Sequence, residues 1–400
     1  LPFSKWDEAM TSVSADPIRW PAEFNVLPKE VFHRQDVYEA ELAKIFYGRE
    51  WHPLAHVSEI PNKGDFKTLQ IGNAPVLVVH GDDDRVRVFY NSCPHRGTQL
   101  QICARGHAKE IECPYHRWLF TLQGDLVGAP GMEEFQPAFR KQDYGLRELR
   151  SGEFCGLILA TCSAEAPELD VFLNGTTEYL KKALGGDGRL KLIGYQKTVY
   201  GTNWKEYGDN EGYHPPLLHR AFRLLRWQGG KGTQGVTEYG HKVLEAELQN
   251  PKPGFLNDHS LVEFRDTSTP PRSVVVSLWP MTTIVKHMDV INIRYAFPLS
   301  QDETEVHYAY FSHHDDSPEL LAHRIRQASN LLGPSGFISL EDGAVFSRIH
   351  GGSRTLGTVA FQKGYQGQPL TAPCFVAQND EASNLLRWER YRQTMGFKRD

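Results

Sequence analysis

Cys93-Pro94-His95-Arg96-Gly97 and Cys113-Pro114-Tyr115-His116-Arg117-Trp118 carry the reading of the whole chain, with seventeen residues between His95 and Cys113. Each segment holds one cysteine and one histidine, and a proline stiffens each loop directly after its cysteine. Two thiolates and two imidazoles from two loops can converge on one inorganic centre. That inventory suits a two-iron cluster with cysteines on one iron and histidines on the other.

A structural zinc site uses the same residue types, but zinc-finger spacing places two cysteines close together and two histidines close together. Here one Cys is paired with one His, twice. The short β-like runs Val86–Tyr90 and Glu110–Glu112 lead into the two loops. Val76-Leu77-Val78-Val79 and Val86–Tyr90 flank Gly81-Asp82-Asp83-Asp84, a hairpin-turn composition. Residues 46–160 therefore read as a small all-β domain with its metal loops at one tip.

The chain has 400 residues, more than one small core usually organises, so a second domain is expected over 161–400. Residues 1–45 read as an irregular strap, packing on that second domain, followed by a short amphipathic helix with Val37, Leu42, Ile45 and Phe46 on one face. A net charge of −5 gives no basic footprint and argues against nucleic acid as a partner. No apolar run suits a bilayer, and Leu1–Met10 has no signal core, so no membrane association is expected. The remaining Cys103, Cys155, Cys162 and Cys374 show no disulfide spacing, which points to a reducing cytoplasm.

The second domain opens after Gly185-Gly186-Asp187-Gly188, an exposed turn. Its key segment runs Asn203-Trp204-Lys205 to Asp209-Asn210-Glu211-Gly212-Tyr213-His214-Pro215-Pro216 and on to His219. A residue before proline is pushed out of helical geometry, so His214 should end a helix, with His219 beyond it. A carboxylate would complete a 2-His-1-carboxylate triad, which leaves open positions on iron. Asp342 is the candidate. In a helix over 337–349 it falls on the stripe of Ile338, Val345, Phe346 and Ile349, whereas Glu341 points about 100° away. A salt bridge to an arginine is the plainer alternative for a buried aspartate.

Strand-like runs at Val274–Trp279, Thr283–Lys286 and Val290–Phe297 predict an antiparallel sheet. A helix capped by Ser317-Pro318, with Leu320, Leu321, Ile325, Ala328 and Leu332 on its face, ends at Gly333-Pro334, and a last packing helix covers Asp380–Met395. The fold class is thus α+β: an all-β domain plus a larger sheet flanked by helices. Gly229–Gly235 lacks the context of a phosphate loop and reads as a mobile loop near the pocket.

The two loop motifs resemble Rieske iron-sulfur domains, and the likeness extends to Trp51-His52, Ser58-Glu59-Ile60-Pro61, Gly64-Asp65-Phe66 and Gly124-Asp125-Leu126. It implies Cys93 and Cys113 on one iron of a [2Fe-2S] cluster, with His95 and His116 on the other. Followed by Asn203-Trp204-Lys205, Glu211-x-Tyr213-His214-x4-His219 and Glu341-Asp342, the chain resembles the catalytic α subunits of Rieske non-heme iron oxygenases. The segment Gly333–Phe346 is most similar to the branch acting on aromatic carboxylates such as terephthalate and salicylate. The resemblance implies mononuclear Fe(II) on His214, His219 and Asp342, and electrons from NADH through a reductase, with or without a ferredoxin. It also implies a homotrimer, or an α3β3 assembly with a small β subunit, in which one chain's cluster serves its neighbour's iron. Glu211 would be the bridging carboxylate, with Asp209 a second candidate because the spacing after Asn203-Trp204-Lys205 is shorter than in relatives.

The expected reaction is hydroxylation or dihydroxylation of an aromatic substrate, a carboxylate above all, with O2. Arg294 alternates with Ile291, Ile293 and Tyr295 and could hold that carboxylate through two parallel hydrogen bonds. His287 and Trp279 are further candidates for the pocket wall. The alternatives are an O- or N-demethylating Rieske monooxygenase, and a Rieske electron carrier without mononuclear iron.

Overall fold

The computed structural model describes residues 17–210, 220–224, 232–248, 251–268 and 271–400. The first sheet has seven strands: β1 (His52–His56), β2 (Asp65–Ile71), β3 (Ala74–His80), β4 (Val86–Tyr90), β5 (Arg105–His107), β6 (Glu148–Phe154) and β7 (Leu157–Thr161). Their order across the sheet is β1-β7-β6-β4-β3-β2-β5, and each neighbouring pair is antiparallel. Alternation along β3 explains its unbroken apolar run. Val76 and Val78 face the main core, while Leu77 and Val79 join Phe89, Trp118 and Phe120 in a second core beneath the cluster loops. A strand buried on both faces has no polar side to display. A three-stranded sheet of Ile111–Glu112, Leu119–Phe120 and Leu126–Gly128 carries the second loop.

The second sheet has eight strands: β8 (Leu190–Tyr200), β9 (Gly232–Val236), β10 (Lys242–Glu247), β11 (Arg272–Leu278), β12 (Thr282–His287), β13 (Val290–Pro298), β14 (Thr304–His313) and β15 (Cys374–Ala377). It is antiparallel in the order β8-β14-β13-β12-β11-β10-β9-β15. The Gly-rich stretch needs correcting here. Gly232–Val236 pairs with both β10 and β15, so this part is a sheet strand and not a loop; residues 229–231 lie outside the described set. Gly235 fits because a Cβ there would meet the Phe375 ring at 2.4 Å.

One face of this sheet packs on the first domain through a buried polar knot. Glu59 accepts from Lys67 Nζ at 2.8 Å, from Tyr295 Oη at 2.6 Å and from the His56 amide at 2.7 Å. The Lys67 ammonium also sits 3.6 Å over the Tyr295 ring. A paired and fully hydrogen-bonded ion in the interior fixes how two surfaces register, because loss of any partner leaves a charge uncompensated. Glu59 thereby ties the cluster domain to β13.

The other face is covered by α1 (Trp204–Asp209), α2 (Pro318–Gln327), α3 (Ser339–Ser353) and α4 (Ala382–Met395). Ser317 caps α2 as expected, accepting from the Leu320 amide at 3.2 Å. Of the expected face, Ala328 and Leu332 are buried just past α2, but Ile325 is exposed, and His323, Arg324 and Gln327 are buried instead. Arg324 turns the helix inward by pairing with Asp266 at 2.9 Å and Asp316 at 2.6 Å. The N-terminal lead is fastened by Glu41, which accepts from Trp204 Nε1 at 2.7 Å and from Lys205 Nζ and Tyr391 Oη at 2.5 Å each. Val37, Leu42, Ile45 and Phe46 are all buried, as their shared face predicts.

Candidate active site

The two cluster loops are built alike. In each, the cysteine amide donates to the carbonyl five residues on, Cys93 to Thr98 and Cys113 to Trp118, both at 2.8 Å. In each, the cysteine carbonyl accepts from the amide four residues on, from Gly97 at 2.9 Å and Arg117 at 3.1 Å. Closing the loop this way requires a left-handed residue at that fourth position, and Gly97 (φ 71°) and Arg117 (φ 58°) supply it. Both cysteines are buried in the second core. Burial pushes the Cys93 thiol up, and the neighbouring Cys113 adds to the rise.

Outside the thiols, the His95 and His116 rings lie 4.7 Å apart, and His95 stacks on Trp118 at 4.8 Å. His95 and Tyr115 are exposed at the tip. Two adjacent buried thiols need a cation to ionise together. A single tetrahedral zinc would call on all its donors at one point. The donors stand instead as a buried thiol pair and an outer imidazole pair. That chemistry fits a two-iron cluster.

The second site begins at α1. Asn203 caps it, accepting from the Lys205 amide at 3.0 Å, while Glu206 accepts from the Asn203 amide at 3.1 Å. The Asn-Trp-Lys motif is thus one cap and two links to Glu41. Tyr207 and Asn210, at the far end of α1, line a cavity with Tyr200, Thr283, Arg294, Tyr308, Ser339, Asp342 and Phe346. Beyond residues 211–219, the Ala221 amide donates to Glu341 at 3.0 Å. Both described flanks of that segment therefore reach the Glu341-Asp342 pair. Glu211, His214 and His219 themselves lie outside the described residues. Asp342 faces the cavity and Glu341 faces away from it, which is the division expected from their 100° offset.

The apolar stripe expected on α3 holds at Ile338 and Phe346, both buried, and is corrected at its other two positions. Val345 and Ile349 are exposed, and Ser339, Phe346, His350 and Ser353 are buried. The helix is oriented by a polar clamp. His350 Nδ1 meets Glu206 at 2.9 Å and Nε2 meets Asp302 at 2.8 Å, with Arg354 also on Asp302 at 3.0 Å. The clamp joins α3, which carries Asp342, to α1, which leads to residue 211. The Glu206 hydrogen bond raises the His350 pKa, Asp302 adds to it, and burial opposes both. A folded pKa above the unfolded value of about 6.5 stabilises fully below that value and loses the contribution as pH rises through the raised one. The melting-temperature gap between wild type and His350→Gln is accordingly expected to be widest in acid and to narrow above neutrality. A gap independent of pH would mean that the imidazolium does not hold the clamp.

Arg294 lies on the face of β13 opposite Ile293 and Tyr295, its guanidinium 5.3 Å over the Tyr308 ring. His287 is not among the residues that line the cavity: it bonds Ser273 Oγ at 2.9 Å, and burial, with Arg294 nearby, pushes its pKa down to about 4, so the ring is neutral at neutral pH. Trp279 is corrected: it lines a different groove, with Asp209, Arg387 and Trp388, and packs edge-on against Trp204 at 6.1 Å. It lies beyond the end of β11, where strand alternation no longer aims it at the cavity. Asp209 is held by Asn384 Nδ2 at 2.6 Å, and burial raises its carboxyl pKa. The sequence reading missed Tyr200 and Tyr308, whose hydroxyls meet at 2.9 Å, and Thr283. Strand alternation was the only signal for them.

An all-β domain presenting paired thiols and imidazoles, joined to a helix-covered antiparallel sheet with a carboxylate-bearing cavity, defines a two-centre redox protein. Residues 50–146 match the Rieske [2Fe-2S] domain, and 187–383 match the ring hydroxylating alpha subunit (catalytic domain). The chain is 30% identical over 412 residues to the terephthalate 1,2-dioxygenase terminal oxygenase component subunit alpha 2 of Comamonas sp., covering 95% of this chain and 98% of that one. It is 29% identical over 406 residues to the anthranilate 1,2-dioxygenase large subunit of Burkholderia cepacia, covering 93% of each. Among solved structures, naphthalene 1,2-dioxygenase from Rhodococcus sp. shares the fold with a TM-score of 0.80 at 23% identity over 92% of this chain and 94% of that one. The chain belongs to the family of Rieske ring-hydroxylating oxygenase alpha subunits. It is an oxidoreductase that incorporates O2, with a Rieske cluster and mononuclear iron as cofactors and a reductase or ferredoxin as electron source. No helix among the described residues is long and apolar enough to cross a membrane.

Proposed function

We propose that the chain oxygenates an aromatic carboxylate held by Arg294 beside a mononuclear iron on Asp342, His214 and His219. In this reading Cys93 and Cys113 hold one iron of the cluster, and His95 and His116 hold the other. The observation that carries it is the shared cavity: one guanidinium and one carboxylate in walls made largely by Tyr200, Tyr207, Tyr308 and Phe346. Aromatic walls exclude water and pack on a ring, and an arginine among them orients a carboxylate by a bidentate contact. Iron with open coordination positions supplies the activation of O2. Arg294 then fixes which ring edge is presented, and Tyr200 and Tyr308, bonded to each other, keep that wall in place.

Assembly as a trimer, with or without a small β subunit, is supported by two surfaces. The tip exposes His95 and Tyr115, and the groove lined by Asp209, Trp279, Arg387 and Trp388 opens beside α1. Glu211 is the carboxylate assigned to the bridge between subunits, because Asp209 already bonds Asn384 beneath that groove. A pure electron carrier has no use for the second cavity.

Arg294→Gln is expected to weaken binding of every accepted aromatic acid by about ten- to a hundredfold, the loss of a charge-assisted pair. Titration calorimetry on the holoprotein checks this. Unchanged affinity for all of them would remove Arg294 as the carboxylate anchor.

A further inference from the structure

The walls of the Arg294 cavity carry one O–H donor more than they use. Tyr200, at the end of β8, and Tyr308, opposite Arg294 on β14, both line it and both are buried. Their hydroxyls meet at 2.9 Å, and among the described residues neither has another hydrogen-bond partner. Two phenols carry two protons, and the bond between them consumes one. Whichever tyrosine accepts in that bond keeps its own O–H for something else, and a buried donor left without an acceptor is costly. The other cavity hydroxyls are engaged. Ser339 donates to the Leu332 carbonyl at 3.0 Å, and Thr283 bonds Ser277 at 3.1 Å on β11, the neighbouring strand on the side away from Arg294. The phenol pair is also held in place: Tyr200 packs edge-on to Phe346 at 5.3 Å and stacks with Tyr207 at 5.7 Å, and the Arg294 guanidinium lies over the Tyr308 ring. Burial pushes the Tyr200 phenol up, so it keeps its proton at neutral pH, and the charges of Arg294 and Asp342 both bear on it.

We propose that the Tyr200–Tyr308 pair is the second half of the anion anchor, its spare O–H donating to a carboxylate oxygen of the substrate held by Arg294. The inference rests on the reading that Arg294 holds the carboxylate. An ionised carboxylate only accepts, so it takes the guanidinium's bonds and the phenol's together. A neutral, weakly accepting group of the same shape repays neither. The pair is thus specificity-determining for the charged group and not for the ring. The two hydroxyls can also exchange roles. With one tyrosine replaced by phenylalanine, the other loses its phenol partner and still has its own O–H to give.

The test uses the full chain with cluster and iron in place, and measures by calorimetry the affinity for benzoate and the three methylbenzoates. Each acid is set beside its nitro counterpart, nitrobenzene or a nitrotoluene, which matches it in shape and carries no net charge. Tyr200→Phe and Tyr308→Phe are each expected to weaken the best-bound acid by less than about threefold, and the double variant by at least about tenfold, the loss of a charge-assisted bond. The nitro counterpart should change by less than about threefold throughout, since it never took that bond. Such non-additivity is what one donor shared between two side chains produces. A double variant that keeps the acid's affinity overturns the proposal. Equal losses for acid and nitro compound do so too, since the pair would then be wall packing, and so does a single variant that loses as much as the double. Should the double variant not melt cooperatively, the tyrosine absorption of wild type decides: a red shift on adding the acid supports the donated bond, and no shift overturns it. If Arg294→Gln weakens every acid while the double variant does not, only the tyrosine assignment falls. If Arg294→Gln changes no affinity, or wild type binds no aromatic acid, the carboxylate reading falls with it.

Discussion

Asp342→Ala is expected to abolish oxygenation while leaving the visible absorption of the Rieske cluster unchanged. Removing an outer partner of a metal ligand typically costs about 10–100-fold in affinity or activity, so removing a ligand itself should exceed that range. Iron content should fall from about three to about two atoms per chain, the two being those of the cluster. The separation is clean because Asp342 lies on α3, in the cavity with Tyr207 and Asn210, while the cluster loops rest on a different core. Glu341→Ala is the control: it loses the bond to the Ala221 amide and should retain more iron than Asp342→Ala. Iron analysis with single-turnover assays decides between the outcomes, and an Asp342→Ala protein that still turns over would remove this residue from the triad.

The second large effect is at Cys113. Cys113→Ala should give a colourless protein with no turnover, and its first domain should be less stable. Cys93 and Cys113 are part of the core that also holds Leu77, Phe89, Trp118 and Phe120, so a cluster held between them would also be packing material. Deleting a ligand opens a gap there and releases the loop whose Trp118 stacks on His95. Cys103 is exposed and belongs to neither core, so Cys103→Ala should keep full colour and activity. Absorption spectra of the two variants side by side test the assignment, and a coloured Cys113→Ala would contradict it.

Much of this was legible locally. The proline-stiffened Cys–His pairs, the Gly81–Asp84 hairpin, the Ser317 cap and the alternation that turns Arg294 away from Ile293 each depend on a few neighbouring residues. What escaped depends on partners far away in sequence. Gly232–Val236 reads as a loop because glycine weakens a strand, yet β10 and β15 pair with it on both sides. The stripe of Ile338, Val345, Phe346 and Ile349 looked like a buried face, but the His350 clamp to Glu206 and Asp302 rolls α3 so that Val345 and Ile349 point outward. Arg324 does the same to α2 through Asp266 and Asp316. In both helices a polar side chain with two partners outweighed apolar periodicity. The knot of Glu59, Lys67 and Tyr295 was invisible for the same reason, since its members are spread over more than half the chain.

The most direct test of the central claim is isotope incorporation. The iron-loaded protein, supplied with NADH and an electron-transfer reductase under 18O2, is offered a panel of aromatic acids, and the products are weighed by mass spectrometry. The account predicts a product carrying label, one atom for a hydroxylation and two for a dihydroxylation. A protein with a reducible cluster and a filled mononuclear site that labels none of these acids would contradict the assignment of an aromatic carboxylate to the Arg294 cavity.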